Sequence, residues 1–401
     1  MTPAGWISKK LWELTYWDKR FNGVDKSKQK KILPFKHVSA EKLKSICVRG
    51  GKIKLLATGK FDGYTTKDLA QDDVNCGEVL TLPSGGTAAI KYFNGTFVDS
   101  GNIIAQTSDA EQYCLKFIYY YLMCINNVIA KEYRGTSIKH PYMPAILELS
   151  IPVPSLSEQQ QIVEKLDALF ADIEKEKQIA QQNLQNAKEL FESEKKSLMQ
   201  KVQHYENVHL VDLYNFIDYR GVTPNKIDTG VPLVTAKNVK MGYIDYTIKD
   251  FISEEDYLAR QSRGISKKGD ILFTTEAPLG NVAIADLDKF SAGQRIITLQ
   301  QYSDGKLELS NDFYCYYMQS DYFQTIIHSL ASGATAQGIK AAKLKLVLVP
   351  LVPYQIQKEI VEKLDALHEQ IQELEQIYTK QIADLDELKQ AILKKAFNGE
   401  L

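Results

Sequence analysis

Cysteine is scarce and unpatterned: the chain has five (Cys47, Cys76, Cys114, Cys124 and Cys315), widely scattered and never spaced Cys-x-x-Cys. A disulfide framework or a structural zinc site is therefore not expected, and the thiols read as reduced and mostly core. Long uncharged apolar runs are also lacking. No stretch approaches the roughly 18 to 20 residues a membrane span needs, and the N-terminus shows no charged leader ahead of an apolar stretch. No membrane partner is expected, and the cytoplasm is the expected compartment.

Catalytic signatures are missing as well. There is no Pro-Pro dipeptide, which excludes the Asn- or Asp-Pro-Pro-aromatic loop of a DNA methylase, and no Gly-x-x-x-x-Gly-Lys-Ser/Thr phosphate loop of a motor. Ser84-Gly-Gly-Thr87 suits a hairpin or loop turn better than a phosphate nest. Glu194-Lys-Lys196 has a nuclease-like acid-x-Lys spacing, but it falls on an amphipathic helix without a placed partner acid and reads as a solvated face. His204 and His209 do not match helical metal spacing. No catalytic residue, no metal and no cofactor is expected in this chain.

Net charge is nearly absent, at −1 from 49 basic and 50 acidic residues, which looks wrong for a nucleic-acid binder. The average hides a segregation. Residues 1–60 carry 15 Lys or Arg against 4 Asp or Glu. Residues 158–200 hold 9 acids and 6 bases, and residues 355–401 hold 10 acids and 6 bases. Any DNA surface is thus expected outside those two stretches.

At 401 residues the chain exceeds one typical core. An internal repeat shows how it divides. Ile162-Val-Glu-Lys-Leu-Asp-Ala-Leu169 recurs unchanged as Ile360-Val-Glu-Lys-Leu-Asp-Ala-Leu367, an offset of 198 that also pairs Pro152 with Pro350, Gln159 with Gln357 and Gly135 with Gly333. Leu11, Glu13 and Leu14 answer Leu210, Asp212 and Leu213, while Gly77-Glu-Val-Leu80 answers Gly269-Asp-Ile-Leu272 and Gly101 answers Gly293. The expected organisation is a globular domain over 1–154, a long helix over 155–203, a second domain over 204–353 and a second long helix over 354–401.

Each long helix carries an apolar seam at heptad spacing. The first runs Ile162, Leu166, Leu169, Ile173, Ala180, Leu184, Ala187, Phe191, Leu198; the second runs Ile360, Leu364, Leu367, Ile371, Leu374, Tyr378, Ile382, Leu385, Leu388, Ile392. Ser155 and Ser157 are the candidate N-caps of the first. A lone seam of this kind is most simply a domain core or a homo-oligomer zipper. Two copies, each after a globular segment, suggest instead that the helices stabilise each other. If they pack antiparallel, the globular domains are related by a pseudo-twofold axis, an arrangement that matches two half-sites on a duplex.

The globular segments read as mixed strand, loop and helix. Residues 76–82, 231–235, 269–275 and 343–350 are expected strands, residues 83–87 and 221–224 turns, and the aromatic stretches 110–130 and 312–330 helices. Polar loops with scattered bases give the candidate DNA contacts: Lys19, Arg20, Lys28, Lys30, Arg134 and Lys139 in the first segment, and Arg220, Thr223, Asn225, Lys237, Asn238, Arg260, Arg263, Lys267 and Gln337 in the second. Arg and Lys suit guanine edges or phosphates, and Asn and Gln suit adenine, although any single surface Lys is most simply solvated.

Ile151-Pro-Val-Pro-Ser-Leu-Ser-Glu-Gln159 leading into the repeated helix, Tyr219-Arg-Gly-Val-Thr-Pro224, Val231-Pro-Leu-Val-Thr235, Gly269-Asp-Ile-Leu272 and the ending Ala391-Ile-Leu-Lys-Lys-Ala-Phe-Asn-Gly-Glu-Leu401 together resemble the specificity subunits of type I restriction-modification systems. The resemblance covers essentially the whole chain. It implies an α+β fold: two mixed α/β target-recognition domains, each for half of a split double-stranded DNA target, separated by two long antiparallel coiled-coil helices. It further implies docking of two methylase subunits on the helices, with nuclease-translocase subunits joining them. S-adenosylmethionine, ATP and magnesium would be bound by those partners. The sequence departs from the pattern where Ile356 replaces the counterpart of Glu158, and in a first domain that lacks the Gly-x-Thr-Pro turn. A specificity partner of a fused methylase-nuclease would carry the same features. The alternative of another class, a coiled-coil scaffold that binds proteins and not DNA, predicts no salt-dependent duplex binding.

Overall fold

The computed structural model describes residues 3, 5–18, 31, 33–221, 223–303, 307–333 and 337–401. The chain forms two units, Met1–Gln181 with Thr379–Leu401, and Gln182–Tyr378. Each unit therefore takes part of both long helices.

In the first unit the strand Ile7–Lys10 pairs antiparallel with Ser150–Val153, the last strand before the first long helix. One helical turn, Leu11–Leu14, follows, closed by Glu13 Oε2 accepting from the Lys10 N–H at 2.6 Å. The chain then enters a six-stranded sheet in the order Thr15–Trp17, Asn102–Thr107, Asn75–Pro83, Lys91–Ser100, Ile53–Ala57, Asp62–Thr65. Only Lys91–Ser100 and Ile53–Ala57 pair in parallel. Strand alternation turns Leu80, Leu82, Ile103 and Ala105 toward the aromatic helix Leu115–Cys124, and Val79, Phe97 and Ile104 to the opposite face.

The second unit repeats this plan. Asn207–His209 pairs antiparallel with Leu348–Pro350, and Asp212 Oδ2 accepts from the His209 N–H at 3.1 Å beside the turn Leu210–Leu213. Its four-stranded sheet runs Tyr214–Asp218, Ile296–Gln301, Ile271–Thr275, Leu279–Ile284, antiparallel throughout. That is the order and sense of the first four strands of the other sheet. A separate three-stranded sheet joins Phe251–Ile252, Val231–Val234 and Ser291–Ala292. Phe273, Ile297, Leu299, Phe313, Tyr314 and Phe323 fill the core between the four-stranded sheet and the helices.

Several sequence expectations need correction. The stretch 312–330 is two helices, Asn311–Met318 and Asp321–Leu330, because Ser320 Oγ accepts from the Phe323 N–H and starts a new cap. The stretch 110–130 likewise divides into Leu115–Cys124 and Asn126–Lys131. Of 343–350 only Leu348–Pro350 is strand, since the short helix Ala341–Lys345 occupies its start. Only Cys315 is buried; Cys47 and Cys76 are exposed, on a loop and on an outward strand position, and all five thiols are free.

The long helices are Leu156–Lys201 and Tyr354–Phe397. Ser155, not Ser157, caps the first, its Oγ accepting from the Glu158 N–H at 3.3 Å. Within each unit the helix segments run antiparallel. In the first, Ile162, Leu166 and Phe170 share a core with Leu393, Ala396 and Phe397, and Lys177 Nζ lies 2.7 Å from Asp386 Oδ1. In the second, Lys188 Nζ lies 3.4 Å from Glu375 Oε1, and Lys363 pairs with Glu194.

The seam is not a strict heptad. Ile162, Leu166, Ile173, Ile360, Leu364 and Ile371 are buried as expected, but Leu169 is 39% exposed and its place is taken by Phe170, while Leu367 is half-buried and Leu374 and Leu388 are exposed. A helix with about 3.6 residues per turn drifts off a 3.5-residue repeat. The buried run Gln159, Ile162, Leu166, Phe170, Ile173 follows that drift.

Candidate nucleic-acid interface

In the second unit one end of the four-stranded sheet gathers the loops that carry most of the candidate contacts. Asp218 ends its strand opposite Ile297, and Thr274 pairs with Ile296, so the segments beginning at 219, 276 and 293 share that end. Together with the turn after Val234 they enclose a basin of about 280 Å³, lined by Thr223, Lys226, Thr235, Lys237, Gln294 and Arg295.

The backbones around this basin are held firmly. The Gly293 N–H donates to Val234 O at 2.7 Å, and an added Cβ there would lie 3.2 Å from the Thr235 Cα, so a larger residue would push the two backbones a few tenths of an ångström apart. The Thr275 N–H donates to Arg295 O at 2.9 Å, and the Ile339 N–H to Thr275 O at 3.0 Å. Gly338 forms a bridge with Glu276, which brings the exposed Gln337 to the same end.

Arg220 lays Nε and a terminal nitrogen on the Asp218 carboxylate at 2.9 and 2.6 Å, and Arg263 donates to Arg220 O at 2.7 Å. Burial pushes the Asp218 carboxyl up, but the Arg220 guanidinium beside it brings the net shift below the ordinary range. Asn225 is tied through its N–H to Asp256, and Lys226 pairs with Asp250 at 2.7 Å. Lys237 is exposed and has no ion-pair partner among the described residues.

Two expected contacts are corrected. Asn238 is 2% exposed: its Oδ1 accepts from the Thr235 N–H and Oγ1, and its Nδ2 donates to Asp245 O and Ile248 O. It is a brace for the Lys237 turn with nothing left to offer a base. Arg260 is 4% exposed, donates to Ser291 Oγ at 3.0 Å and Ala292 O at 2.7 Å, and stacks 4.6 Å from the Tyr219 ring centre. It fixes the strand that leads to Gln294. Lys267 is exposed but lies at the other end of the strand Ile271–Thr275, its N–H bonded to Asp270, so it does not join the basin.

Gln294 and Arg295 were not among the sequence candidates. Their one signal was position, directly after the Gly293 that answers Gly101.

The first unit brings corresponding loops together. The Ser84 N–H donates to Gly101 O at 2.9 Å, the Gly86 N–H to Lys139 O at 2.8 Å, and His140 Nδ1 to Ser84 O at 2.6 Å. Arg134 and Lys139 are both exposed there; Arg134 bonds Glu132 at 3.0 Å and stacks 3.8 Å from the Tyr142 ring centre. Lys19, Arg20, Lys28 and Lys30 lie outside the described residues. The segment that contains them is flanked in sequence by Asp18 and His37, which pair with each other, and His37 Nδ1 also lies 2.8 Å from Asp99 Oδ2. Burial alone would lower the His37 pKa; the two carboxylates outweigh it and raise the value to about 9, so His37 is an imidazolium at neutral pH.

Among the described residues there is no cluster of three or more metal-ligating side chains, and no helix long and apolar enough to cross a membrane.

The model of the type I restriction modification DNA specificity domain matches residues 27–182 and again 188–383, so this chain belongs to the type I restriction-modification DNA specificity family. The type I restriction enzyme MjaVIII specificity subunit of Methanocaldococcus jannaschii is 24% identical over 362 residues, covering 85% of this chain and 82% of that one. The EcoKI specificity subunit of Escherichia coli K12 is 25% identical over 296 residues, 69% of this chain and 62% of its own length. Among solved structures, a chain from work on the complex assembly and conformational transition of the type I R-M system matches over the full length of both chains with a TM-score of 0.68 at 20% identity. The HsdS subunit from Thermoanaerobacter tengcongensis matches with a TM-score of 0.51 at 20% identity, over 100% of this chain and 98% of its own. These likenesses establish a shared fold.

Proposed function

We propose that this chain is the DNA-reading specificity subunit of a type I restriction-modification complex, in which each unit reads one half of a split double-stranded target. The observation that supports this most is the duplicated loop end: two units that share the order of four strands each gather exposed basic side chains at the same end of the sheet. Arg134 and Lys139 in one unit, and Arg220, Thr223, Asn225, Lys237, Arg263 and Gln337 in the other, are the candidate contacts there. Lys267 remains a candidate phosphate contact away from the basin, and Lys19, Arg20, Lys28 and Lys30 remain candidates from sequence alone. Phosphate contacts would fix register, and base-edge contacts would choose sequence.

On this reading the chain performs no chemistry of its own. Two methylase subunits dock on the long helices, nuclease-translocase subunits join them, and these partners bind S-adenosylmethionine, ATP and magnesium in the cytoplasm. Replacing residues 205–353 with the corresponding segment of another family member tests the proposal. One half of the methylated target should change and the other should stay. A target that stays whole, or one that changes in both halves, would overturn it.

A further inference from the structure

The basin in the second unit holds two side chains suited to reading bases, on a segment tied to its neighbours by backbone hydrogen bonds. We propose that Gln294 and Arg295 are sequence-determining residues of the second unit, recognising purine edges in the major groove, with Thr223 as the positioning residue of Gln294. The proposal rests on the reading of this unit as a DNA-recognition domain.

Gln294 comes first. Thr223 Oγ1 donates to its Oε1 at 3.1 Å, which sets the amide plane. Its Nε2 makes no hydrogen bond among the described residues, and Oε1 keeps a lone pair. A side-chain amide presenting one donor and one acceptor fits the N7 and N6 edge of adenine. Being neutral, it adds no charge to the basic basin it lines; what it offers there is a paired donor and acceptor.

Arg295 is the neighbour. Its side chain is 52% exposed and a terminal nitrogen lies 3.7 Å from Glu276 Oε1. A carboxylate held beside an arginine weakens a pure phosphate clamp, because it repels the backbone. The contact is longer than a hydrogen bond, so the planar fork keeps its donors for the two acceptors of guanine. Both backbones are already fixed, by the Gly293 bond to Val234 and the Arg295 bond from Thr275, so little ordering remains to be done on binding.

The test co-expresses the full chain with its methylase subunit and maps methylated sites for the native chain, Gln294→Ala, Arg295→Ala and Arg295→Lys. Each alanine variant is expected to lose preference at one position of the second unit's half-site, by roughly tenfold to a hundredfold, with the other half intact. Arg295→Lys keeps the charge but not the fork. It should relax the same position while leaving the salt dependence of duplex binding unchanged, which a merely electrostatic or structural role would not do. Thr223→Val should weaken only the position lost in Gln294→Ala. Variants that assemble normally and keep the full target overturn the proposal. If exchanging residues 205–353 changes the half-site while these variants do not, the domain reading stands and this assignment fails. If the exchange changes nothing, both fail.

Discussion

Gln159 and Gln357, 198 positions apart, tie the starts of the two long helices to their domains by the same bonds. Gln159 Oε1 accepts from the Cys114 N–H at 2.8 Å and its Nε2 donates to Pro154 O at 3.0 Å; Gln357 Oε1 accepts from the Ser310 N–H at 2.7 Å and its Nε2 donates to Val352 O at 2.7 Å. Each is a buried amide that satisfies backbone groups on two segments at once and so ties the helix start to the aromatic helix.

Gln357→Leu therefore strands buried backbone groups, at a cost of about 1–3 kcal/mol for each one left unsatisfied. Urea unfolding of the purified complex should show the loss for the second unit, and Gln159→Leu should reproduce it for the first. Equal stability of both variants with the native chain would remove this role.

Phe397 packs against Phe117 and Tyr121 with ring centres 5.2 and 5.1 Å away, closing the first unit's core from the end of the second long helix. Phe397→Ala should cost about 3–5 kcal/mol, whereas Leu169→Ala, at an exposed position, should stay within about 0.5 kcal/mol. Thermal denaturation distinguishes the two, and a large loss from Leu169→Ala would restore the strict heptad seam.

The repeat, the two long helices and the absence of catalytic motifs were legible because identity at fixed spacing and apolar period need no tertiary information. The octapeptide is conserved between the copies for a reason that only the structure supplies: Tyr316 donates to Asp365 at 2.7 Å, Tyr120 likewise to Asp167, and Ile162, Leu166, Ile360 and Leu364 fill the adjoining cores. The site was less legible. Asn238 and Arg260 have the chemistry of DNA contacts and spend it on the Thr235 turn and the Ser291 strand. Gln294 and Arg295 look ordinary until the Gly293 contact with Val234 brings them beside Thr223. Composition sets what a side chain offers, but burial decides to whom.

Charge reversal at Arg220 and Arg263 should weaken methylation of the native target without disturbing assembly, since both are at the loop end of the sheet and neither is core. Asn238→Ala and Arg260→Ala should instead lower stability first, by about 1–3 kcal/mol. Methylation assays beside melting curves separate these outcomes; an Arg260 variant that melts normally and loses one base preference would reinstate it as a reader.

His37 gives the first unit a pH dependence. Its pKa is raised in the folded chain, from the ordinary 6.5 to about 9, so the stability it contributes is fully present below about pH 6.5 and is lost as the pH rises toward 9. His37→Gln should flatten the decline over that window. An unfolding curve with the same slope in both proteins would show that Asp18 and Asp99 do not hold a charged imidazole.

A specificity subunit of this family is expected to choose a two-part DNA target. The test is to co-express the chain with the methylase subunit proposed to dock on its long helices and map methylated bases across the host genome by single-molecule sequencing. A split motif of two half-sites that disappears when this gene is deleted is the expected result. Methylation that persists without the gene, or a single uninterrupted motif, would contradict it.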